Sequence, residues 1–313
     1  MLKKVDGGYL SDSFVVGSSG KQYLLKQYRE KYNEQDLINI HKTKQIFSEN
    51  GIPIIMPLEN NQQKTYFKHG NYFYSLFPFV NAKSIKPDKV SDRAVRSMAK
   101  MQAKMHKISF SRKIPKIFDR ETNLWNKEKA LEKGERIKFI IGKRKLKDNF
   151  DKIASKFVDF KIANIKKNKI IPEDINLKSD CLIHGDYHAF NLFFDDNYEV
   201  KYVFDLEKTV YAPRAYELVR AIDYICLNDF NFKKAGLYIR AYRDVYPISE
   251  EEFEKGFVFY LMKGIHTFWI EENHYLDNNF RTDVFYKDDN SKTNYYAKHS
   301  NSVIKKIVSY SNK

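Results

Sequence analysis

The segment from Cys181 to Glu207 constrains the fold more than any other part of the sequence. In it, two apolar runs that are typical of β-strands lie on either side of a short polar stretch. The first run leads into His184-Gly185-Asp186, the second follows Asn191, and a further predicted strand, Val200–Leu206, carries Asp205 between two apolar residues. An unpaired charge beside apolar strand residues is costly. The segment therefore predicts a strand–loop–strand unit whose polar groups serve one function.

Three polar side chains of this segment have the types and the order that phosphoryl transfer requires. The reaction needs a carboxylate that orients the acceptor hydroxyl and takes its proton, and oxygen ligands for a Mg²⁺ ion that bridges nucleotide phosphates. Asp186, Asn191 and Asp205 supply these groups in that order. Each residue alone is more typical of a turn, an Asx turn or an edge strand. The three together favour the catalytic interpretation.

The sequence pattern changes near residue 80. Residues 9–28 predict a hairpin, residues 34–49 predict a helix, and residues 64–77 predict further short strands. Beyond this point long helical patterns dominate, apart from the strand-like segment described above. We therefore expect an N-terminal lobe over residues 1–80 and a mainly helical lobe over residues 81–313.

Composition and charge exclude several classes of protein. The chain has 313 residues, of which 42% are hydrophobic, so it can bury a core, and wholesale disorder is excluded. Its two cysteines form neither a disulfide framework nor a zinc cluster. The start of the chain does not resemble a signal peptide, and no apolar run is long enough to span a membrane. These features predict a cytoplasmic protein.

The net charge of +15 is compatible with nucleic acid, an anionic membrane surface or an anionic small ligand as partner. The lysines are widely spread and are densest over residues 127–168. Neither zinc-finger spacing nor an aromatic RNA-binding pattern accompanies them. A solvated helical surface explains this charge, so we expect neither nucleic acid nor a membrane as partner.

The string His184-Gly185-Asp186-x-x-x-x-Asn191, followed by Phe204-Asp205-Leu206-Glu207, resembles the aminoglycoside phosphotransferase and choline kinase-like family. These are small-molecule kinases with the protein-kinase fold. Protein kinases carry His-Arg-Asp at the first position and Phe-Gly after the second aspartate, so this chain is more similar to the small-molecule branch. The resemblance implies an α+β, bilobal, protein-kinase-like fold. Its small antiparallel-sheet lobe would bind nucleotide, and its mainly helical lobe would carry the catalytic loop and the acceptor site.

The resemblance also implies roles for individual residues. Asp186 is the expected catalytic base, and Asn191 and Asp205 are the expected Mg²⁺ ligands. Lys26 matches the strand lysine that pairs with the α- and β-phosphates of ATP or GTP. His184 is expected to orient the catalytic loop through a hydrogen bond.

Three further residues are expected to meet the nucleotide. Ser11 and Ser13 follow Gly7-Gly8 in the segment that resembles the nucleotide-covering hairpin. Phe79 lies in the segment 76–80 that matches the hinge between the lobes, where backbone groups would meet the base.

The chain departs from the family in the helix that follows Lys26. This helix usually carries a glutamate that pairs with the strand lysine. Here Glu34 and Asp36 lie near its start and Glu49 near its end, and none of them is clearly in the usual place. Either one of the first two pairs with Lys26, or the lysine is held in another way.

Five residues are candidates for contact with the acceptor. Glu207 lies two residues after Asp205, so on a strand it would share the same face and could contact Mg²⁺, its water or the acceptor. His266, Trp269 and Glu272 lie at helical spacing in an aromatic-rich segment, residues 257–272, that predicts one helix. A tryptophan beside acidic groups suits an ammonium ligand, although core packing explains the same pattern. Glu217 could contact the acceptor or cap the following helix.

We therefore predict a phosphotransferase that moves the γ-phosphate of a nucleotide to a hydroxyl of a small molecule. An amino alcohol, an aminoglycoside, a sugar and a homoserine-like metabolite all stay open as acceptors. The alternative is a catalytically inactive kinase-like protein that serves in binding or in a spore coat.

Overall fold

A computed structural model describes residues 2–5, 12–111 and 124–312. The chain divides into two compact units. The first comprises Met1–Glu121, Ser179–Ile248 and Tyr310–Lys313, and the second comprises Thr122–Lys178 and Ser249–Ser309. Residue 80 lies within the first unit, and the two lobes expected on either side of it stay a prediction.

Within the described residues the strands all lie in the first unit, and both units contain helices. The strands are β1 (Leu2–Lys4), β2 (Asp12–Ser18), β3 (Lys21–Gln27), β4 (Phe67–His69), β5 (Tyr72–Pro78), β6 (Cys181–Ile183), β7 (Leu192–Phe194), β8 (Val200–Val203) and β9 (Val210–Ala212). The helices are α1 (Glu34–Glu49), α2 (Asp92–Ser111), α3 (Lys127–Lys143), α4 (Asn149–Lys167), α5 (Pro172–Ile175), α6 (Arg214–Cys226), α7 (Phe232–Arg243), α8 (Glu250–Ile265), α9 (Trp269–Tyr275) and α10 (Tyr286–Ser311).

The first unit begins with a five-stranded antiparallel sheet in the order β1-β2-β3-β5-β4. The β2–β3 hairpin turns at Ser19 and Gly20, which both have positive φ angles, as the sequence around these residues predicted. In the register of this hairpin Ser13 lies opposite Lys26, and on the other side Lys26 pairs with Ser75 of β5. The predicted α+β class, with an N-terminal antiparallel sheet and a mostly helical remainder, is confirmed.

Helix α1 follows the sheet's central hairpin and has the predicted bounds. It begins at a capping box in which Asn33 accepts a hydrogen bond from the Asp36 amide while the Asp36 carboxylate accepts one from the Asn33 amide. It ends before Gly51, whose φ of 80° is readily adopted by glycine. The face that α1 buries is mixed, with apolar and polar side chains: Leu37, Ile40, His41, Thr43, Lys44 and Phe47.

The rest of the first unit is built on α2, α6 and α7 and on two antiparallel ribbons, β6–β9 and β7–β8. Helix α2 packs against α7 and β6, and its methionine stripe, Met98, Met101 and Met105, is buried as core. Backbone bridges join the ribbon β7–β8 to the segments around the sheet. Ile54 bridges Val203, and Lys83 bridges Phe194. These bridges fix the strand–loop–strand segment against the N-terminal part of the same unit.

The second unit is helical and contains α3, α4, α5, α8, α9 and most of α10. Helix α3 packs against α4, and a Cβ atom at Gly134 would lie 2.9 Å from the Phe268 ring and 3.0 Å from Ile162. The contact therefore needs a glycine at this position. Within the described residues, no helix is both long enough and apolar enough to cross a membrane.

The prediction of one continuous helix over residues 257–272 is wrong. Helix α8 ends at Ile265 and α9 begins at Trp269. Side chains near the break contact carbonyls of the last helical turn: the Thr267 hydroxyl donates to Lys263 O, and the His266 ring lies 2.7 Å from Met262 O. The ammonium of Lys161 donates to Thr267 O at 2.9 Å. These contacts stabilise a helix end that the apolar pattern does not reveal.

Candidate active site

Lys26 of β3 is held by two carboxylates that lie close together in the sequence. Its Nζ is 2.5 Å from Asp205 Oδ1 and 3.0 Å from Glu207 Oε1. Burial opposes the charge of Lys26, but the two carboxylates raise its pKa above the ordinary value. The lysine is therefore a fixed cation on the central part of the sheet.

The acids of α1 have other partners. Glu34 accepts hydrogen bonds from Lys64 and Tyr66, Asp36 closes the helix cap, and Glu49 accepts from Gln45. Of the two alternatives left open by the sequence, the structure shows the second: Lys26 is held otherwise than by an acid from the start of α1.

Asp205 and Glu207 reach Lys26 through a tight turn and not through a strand. The predicted strand to Leu206 is wrong, because β8 ends at Val203 and a 3₁₀ turn spans Leu206–Lys208. Asp205 precedes this turn with φ 63° and ψ 51°, a left-handed conformation that a residue with a Cβ rarely adopts. Such strained residues are concentrated at functional sites. The turn brings both carboxylates to the same ammonium group.

The two carboxylates differ in proton affinity. Burial raises the pKa of Asp205 to about 7, with Lys26 opposing this shift and Glu207 adding to it. In contrast, Lys26 and Lys44 overcome the burial of Glu207 and hold its pKa well below the usual range. Of the two carboxyl groups, Glu207 therefore holds a proton less firmly than Asp205.

The expected catalytic loop, residues 184–191, turns at Gly185, which has a φ of 79°. A Cβ atom here would collide with the backbone carbonyl of Lys208, so only glycine fits between His184 and Asp186. As predicted, His184 makes a hydrogen bond that orients the loop: its Nε2 lies 2.9 Å from Phe204 O, and the Asp186 amide donates to its Nδ1 at 3.2 Å. Burial lowers the pKa of His184, which suits this neutral form with the proton on Nε2.

Asp186 is surrounded by cations. Arg220 Nη2 lies 2.5 Å from Oδ1, Lys208 Nζ lies 2.8 Å from Oδ2, and His188 Nε2 lies 3.5 Å from Oδ1. Burial favours the neutral acid, but Arg220, His188 and Lys208 hold the pKa of Asp186 well below its usual range. The expected catalytic carboxylate is thus ionised and fixed in orientation.

Asn191 connects the catalytic loop to the turn that carries Asp205. Its Nδ2 donates to Asp186 O at 2.8 Å, and its backbone carbonyl accepts from the Phe204 amide at 3.2 Å. Asn191 is buried, and Asp205 keeps 38% of its side chain exposed. The predicted metal ligands therefore lie on two connected segments.

These donors suit Mg²⁺. The ion prefers oxygen ligands and commonly takes only one or two from protein side chains, the others being phosphate oxygens and water. One amide oxygen and one partly exposed carboxylate fit that pattern. Among the described residues, no group of three or more His, Cys, Asp and Glu side chains is arranged to hold a metal.

Glu217 has a role that neither sequence interpretation gave it. It is buried in the first turn of α6, and its carboxylate accepts from the His184 amide at 3.3 Å and from the Gly185 amide at 2.6 Å. His106 of α2 lies 2.8 Å from the same carboxylate. Although burial opposes ionisation, the hydrogen bond from His106 lowers the pKa of Glu217. Glu217 holds the catalytic loop from behind.

The three nucleotide contacts expected in the first 80 residues have different outcomes. Ser11, with Gly7-Gly8, lies outside the described residues. Ser13 lies on β2 opposite Lys26. Phe79 follows β5, its side chain is 45% exposed, and its backbone amide donates to Gln22 O at 3.3 Å. The base-binding role of this segment stays a prediction.

The expected acceptor residues in the second unit are engaged with their own neighbours. His266 is buried with its ring 5.9 Å from that of Trp125, and Trp269 packs near Phe285. Glu272 forms an ion pair with Lys133. Because α8 and α9 are separate helices, these residues do not form one helical face.

Sequence reasoning missed three cations of the first unit: Lys44, Lys208 and Arg220. Lys208 and Arg220 both contact Asp186, from 22 and 34 residues further along the chain, and helical spacing does not indicate either contact. Lys44 is 163 residues from its partner Glu207, and no local signal connects the two.

Known proteins resemble this chain in sequence pattern and in fold. Residues 2–247 match the model of the phosphotransferase enzyme family. A comparison with curated proteins found no match.

Among solved structures, a spectinomycin phosphotransferase in complex with ADP and spectinomycin is 16% identical, with a TM-score of 0.65 over 99% of this chain and 92% of that one. Choline kinase from Cryptosporidium parvum is 16% identical, with a TM-score of 0.63 over 98% and 91%. An amicoumacin kinase in complex with AMP-PNP, Ca²⁺ and its ligand is 13% identical, with a TM-score of 0.61 over 93% and 88%. At these identities the likeness shows the fold, which is that of the kinases expected from the sequence.

The family match extends over most of the chain and includes Lys26, the catalytic loop and the turn at Asp205. It confirms the sequence-based prediction of a small-molecule phosphotransferase. The chain therefore belongs to the phosphotransferase enzyme family.

Proposed function

We propose that the protein transfers the γ-phosphoryl group of ATP or GTP to a hydroxyl of a small molecule, with Mg²⁺ as cofactor. One observation carries the proposal: a continuous chain of contacts joins the catalytic loop to the sheet lysine. It runs from Asp186 through Asn191 and Phe204 to Asp205 and Lys26. Phosphoryl transfer needs these groups in fixed mutual positions, because its catalysis is mostly positioning and charge stabilisation.

Each residue has a defined task in this proposal. Lys26 binds phosphate oxygens, and Asn191 and Asp205 would hold Mg²⁺, which neutralises charge that develops on the phosphates. The solved complexes of two relatives, one with ADP and one with AMP-PNP and Ca²⁺, support a nucleotide and a divalent cation here. Lys26 must then exchange its contact with Asp205 for a phosphate oxygen, while Glu207 keeps hold of it.

Asp186 acts mainly by orienting the acceptor hydroxyl. Its low pKa makes it a weak base, so it accepts a hydrogen bond from the hydroxyl and takes the proton only when the bond to phosphorus is well formed. Both of its oxygens already bind cations, but a carboxylate has about four acceptor positions and can accept the hydroxyl as well. Arg220 and Lys208 keep the carboxylate still.

The relatives act on acceptors of several kinds, namely spectinomycin, choline and amicoumacin by their names. In this chain Lys133 pairs with Glu272 and Lys161 pairs with Glu271, so these acids bring little net negative charge to Trp269. The pairing removes the argument for an ammonium ligand at Trp269, and an amino alcohol, an aminoglycoside, a sugar and a homoserine-like metabolite all stay open as acceptors. Glu207 contacts two lysines, which makes it a poor candidate for acceptor binding.

The test is Mg²⁺-dependent nucleotide consumption with a panel of hydroxyl acceptors. The panel includes choline, ethanolamine, homoserine, hexoses, amino sugars and aminoglycosides. We expect one acceptor class to give turnover, and Asp186→Ala to lower that turnover by at least about 10³-fold while MgATP still binds.

The matched control is Asp180→Ala, which removes an exposed aspartate just before β6 and should leave turnover unchanged. Near-normal turnover in Asp186→Ala would show that Asp186 has been given the wrong role. Failure of the wild-type protein to bind either nucleotide would favour the inactive binding or coat protein.

A further inference from the structure

Helix α1 directs a lysine, and not an acid, at the carboxylates that surround Lys26. Lys44 lies on the buried face of α1, and its side chain is only 3% exposed. Its Nζ is 3.5 Å from Glu207 Oε1 and 4.6 Å from the centre of the Phe77 ring. The helix that was expected to supply negative charge supplies positive charge.

Glu207 is shared between two ammonium groups. Its Oε1 lies 3.0 Å from Lys26 Nζ and 3.5 Å from Lys44 Nζ. Its other oxygen, Oε2, is buried and has no hydrogen-bond partner among the described residues. The Glu207 side chain is 9% exposed, so solvent does not replace that partner. Oε1 of this carboxylate is therefore held by two cations, and the Asp205 carboxyl group lies within hydrogen-bond reach of the same side chain.

Lys44 is expensive to bury. Burial lowers its pKa, and Glu207 only partly opposes this effect. A leucine or methionine would fill the space beside Phe77 without the desolvation cost of an ammonium group. Attraction to the Phe77 ring compensates only in part. A packing role alone does not account for a lysine here.

We propose that Lys44 is a positioning residue that holds Glu207 against Lys26. The inference rests on the proposed function, and it adds an explanation of what fixes the position of Lys26. Glu207 lies two residues after Asp205 in the same tight turn. Without Lys44, only Lys26 would hold its carboxylate, which could then also turn toward a divalent cation at Asp205. With Lys44, it stays with Lys26 and leaves Asp205 to the metal.

In the family's usual ion pair, the helix supplies a glutamate that pairs with the strand lysine. Here the acid that holds the sheet lysine comes from the turn after β8, and the helix supplies the cation that holds the acid. The cluster therefore holds two lysines and two carboxylates, because Asp205 also contacts Lys26.

The first test measures MgATP affinity by calorimetry, without acceptor, in wild type, Lys44→Met, Lys44→Arg, Glu207→Gln and the double variant Lys44→Met/Glu207→Gln. We expect Lys44→Met to weaken binding about tenfold and Lys44→Arg to restore most of the affinity. In the Glu207→Gln background, Lys44→Met should have no further effect, because Lys44 acts through Glu207. Lys42→Met, two residues earlier on the exposed face of α1, is the matched control and should bind as wild type does.

The second test titrates Mn²⁺ into the nucleotide-free protein and follows it by electron paramagnetic resonance. Lys44→Met should bind Mn²⁺ several-fold more tightly than wild type, because Glu207 becomes available to the ion. The double variant should lose this gain. A lysine with a merely structural role would not raise metal affinity when it is removed.

The outcomes separate the two proposals. If wild type binds MgATP and Lys44→Met binds it equally well, or if the effects of Lys44→Met and Glu207→Gln add up, the positioning role is wrong and the proposed function stands. If wild type binds no nucleotide, both are overturned. Should Lys44→Met fail to fold, Lys44→Arg and Glu207→Gln still decide: the inference requires Lys44→Arg to bind MgATP nearly as wild type does and Glu207→Gln to bind it more weakly.

Discussion

Each unit of the molecule buries a lysine–glutamate pair, and the two pairs are completed differently. In the second unit, Lys161 lies 3.3 Å from Glu271 Oε1, donates to Thr267 O, and shares the carboxylate with the Tyr286 hydroxyl at 3.0 Å. In the first unit, Glu207 is held by Lys44 and Lys26, and its second oxygen lacks a partner within the described residues. Burial of charge is common to both.

The difference teaches how to distinguish a structural pair from a functional one. A buried pair whose hydrogen bonds close on neighbouring side chains and carbonyls stabilises its own surroundings. A buried pair with an incomplete carboxylate, next to a strained turn and a partly exposed aspartate, is ready for a ligand. The following predictions test that distinction.

The largest effect on stability is expected at the structural pair. Lys161→Met should destabilise the protein by about 3–5 kcal/mol, because Glu271 is then left buried without its cation. MgATP affinity should not change. Urea unfolding and calorimetry of the same preparations measure the two quantities.

The double variant Lys161→Met/Glu271→Leu serves as control for this prediction. Removing both charges should recover most of the lost stability. If the double variant stays as unstable as the single one, packing around Lys161, and not its charge, carries the effect.

A smaller effect is expected at Glu217, which is buried and well supplied with donors yet lies next to the catalytic loop. Glu217→Gln should cost about 1–3 kcal/mol, because one amide donor or His106 loses an ionised acceptor. The loosened loop should lower kcat with little change in MgATP affinity. An unchanged kcat would mean that the loop keeps its position without this charge. Glu217 would then be a structural carboxylate only.

The smallest effect is that of the Lys44 charge on the pKa of His41, which changes how stability depends on pH. Burial, with Lys44 adding to it, lowers the pKa of His41 to about 3. Because an unfolded histidine binds its proton near pH 6.5, the folded state is favoured above that pH. Its stability falls as the pH decreases from about 6.5 toward 3.

Lys44→Met should raise the pKa of His41 and so reduce this loss. Unfolding free energies at pH 7.5 and pH 5 in wild type, Lys44→Met and His41→Asn measure the change, and His299→Asn, on an exposed position of α10, is the control. An acid sensitivity that is identical in wild type and His41→Asn would assign the effect to another group.

Much of the site could be predicted from local sequence. Asp186, Asn191 and Asp205 lie within one strand–loop–strand segment, and Lys26 lies in a short hairpin. Their places in these elements can therefore be predicted from their spacing in the sequence. The methionine stripe of α2 and the bounds of α1 follow from periodicity and capping. These features depend on neighbours a few residues away.

The features that escaped prediction depend on contacts between distant residues or on backbone conformation. Lys44 meets Glu207 across 163 residues, and Arg220 of α6 meets Asp186 in the loop after β6. The left-handed conformation of Asp205 converts an apparent strand into a turn. The break between α8 and α9 is stabilised by Lys161, which lies 106 residues before Thr267. An apolar pattern contains no information on such partners.

The left-handed backbone at Asp205 makes residue 205 a position where foldability and chemistry select different residues. Glycine adopts this conformation without strain, and asparagine does so more readily than most residues. Neither supplies a carboxylate. A library of variants screened only for folded protein should therefore enrich glycine and asparagine at position 205, whereas a library screened for turnover should return aspartate. The frequency of aspartate at position 205 in the turnover screen, divided by its frequency in the folding screen, would measure how strongly turnover selects a residue that strains the backbone.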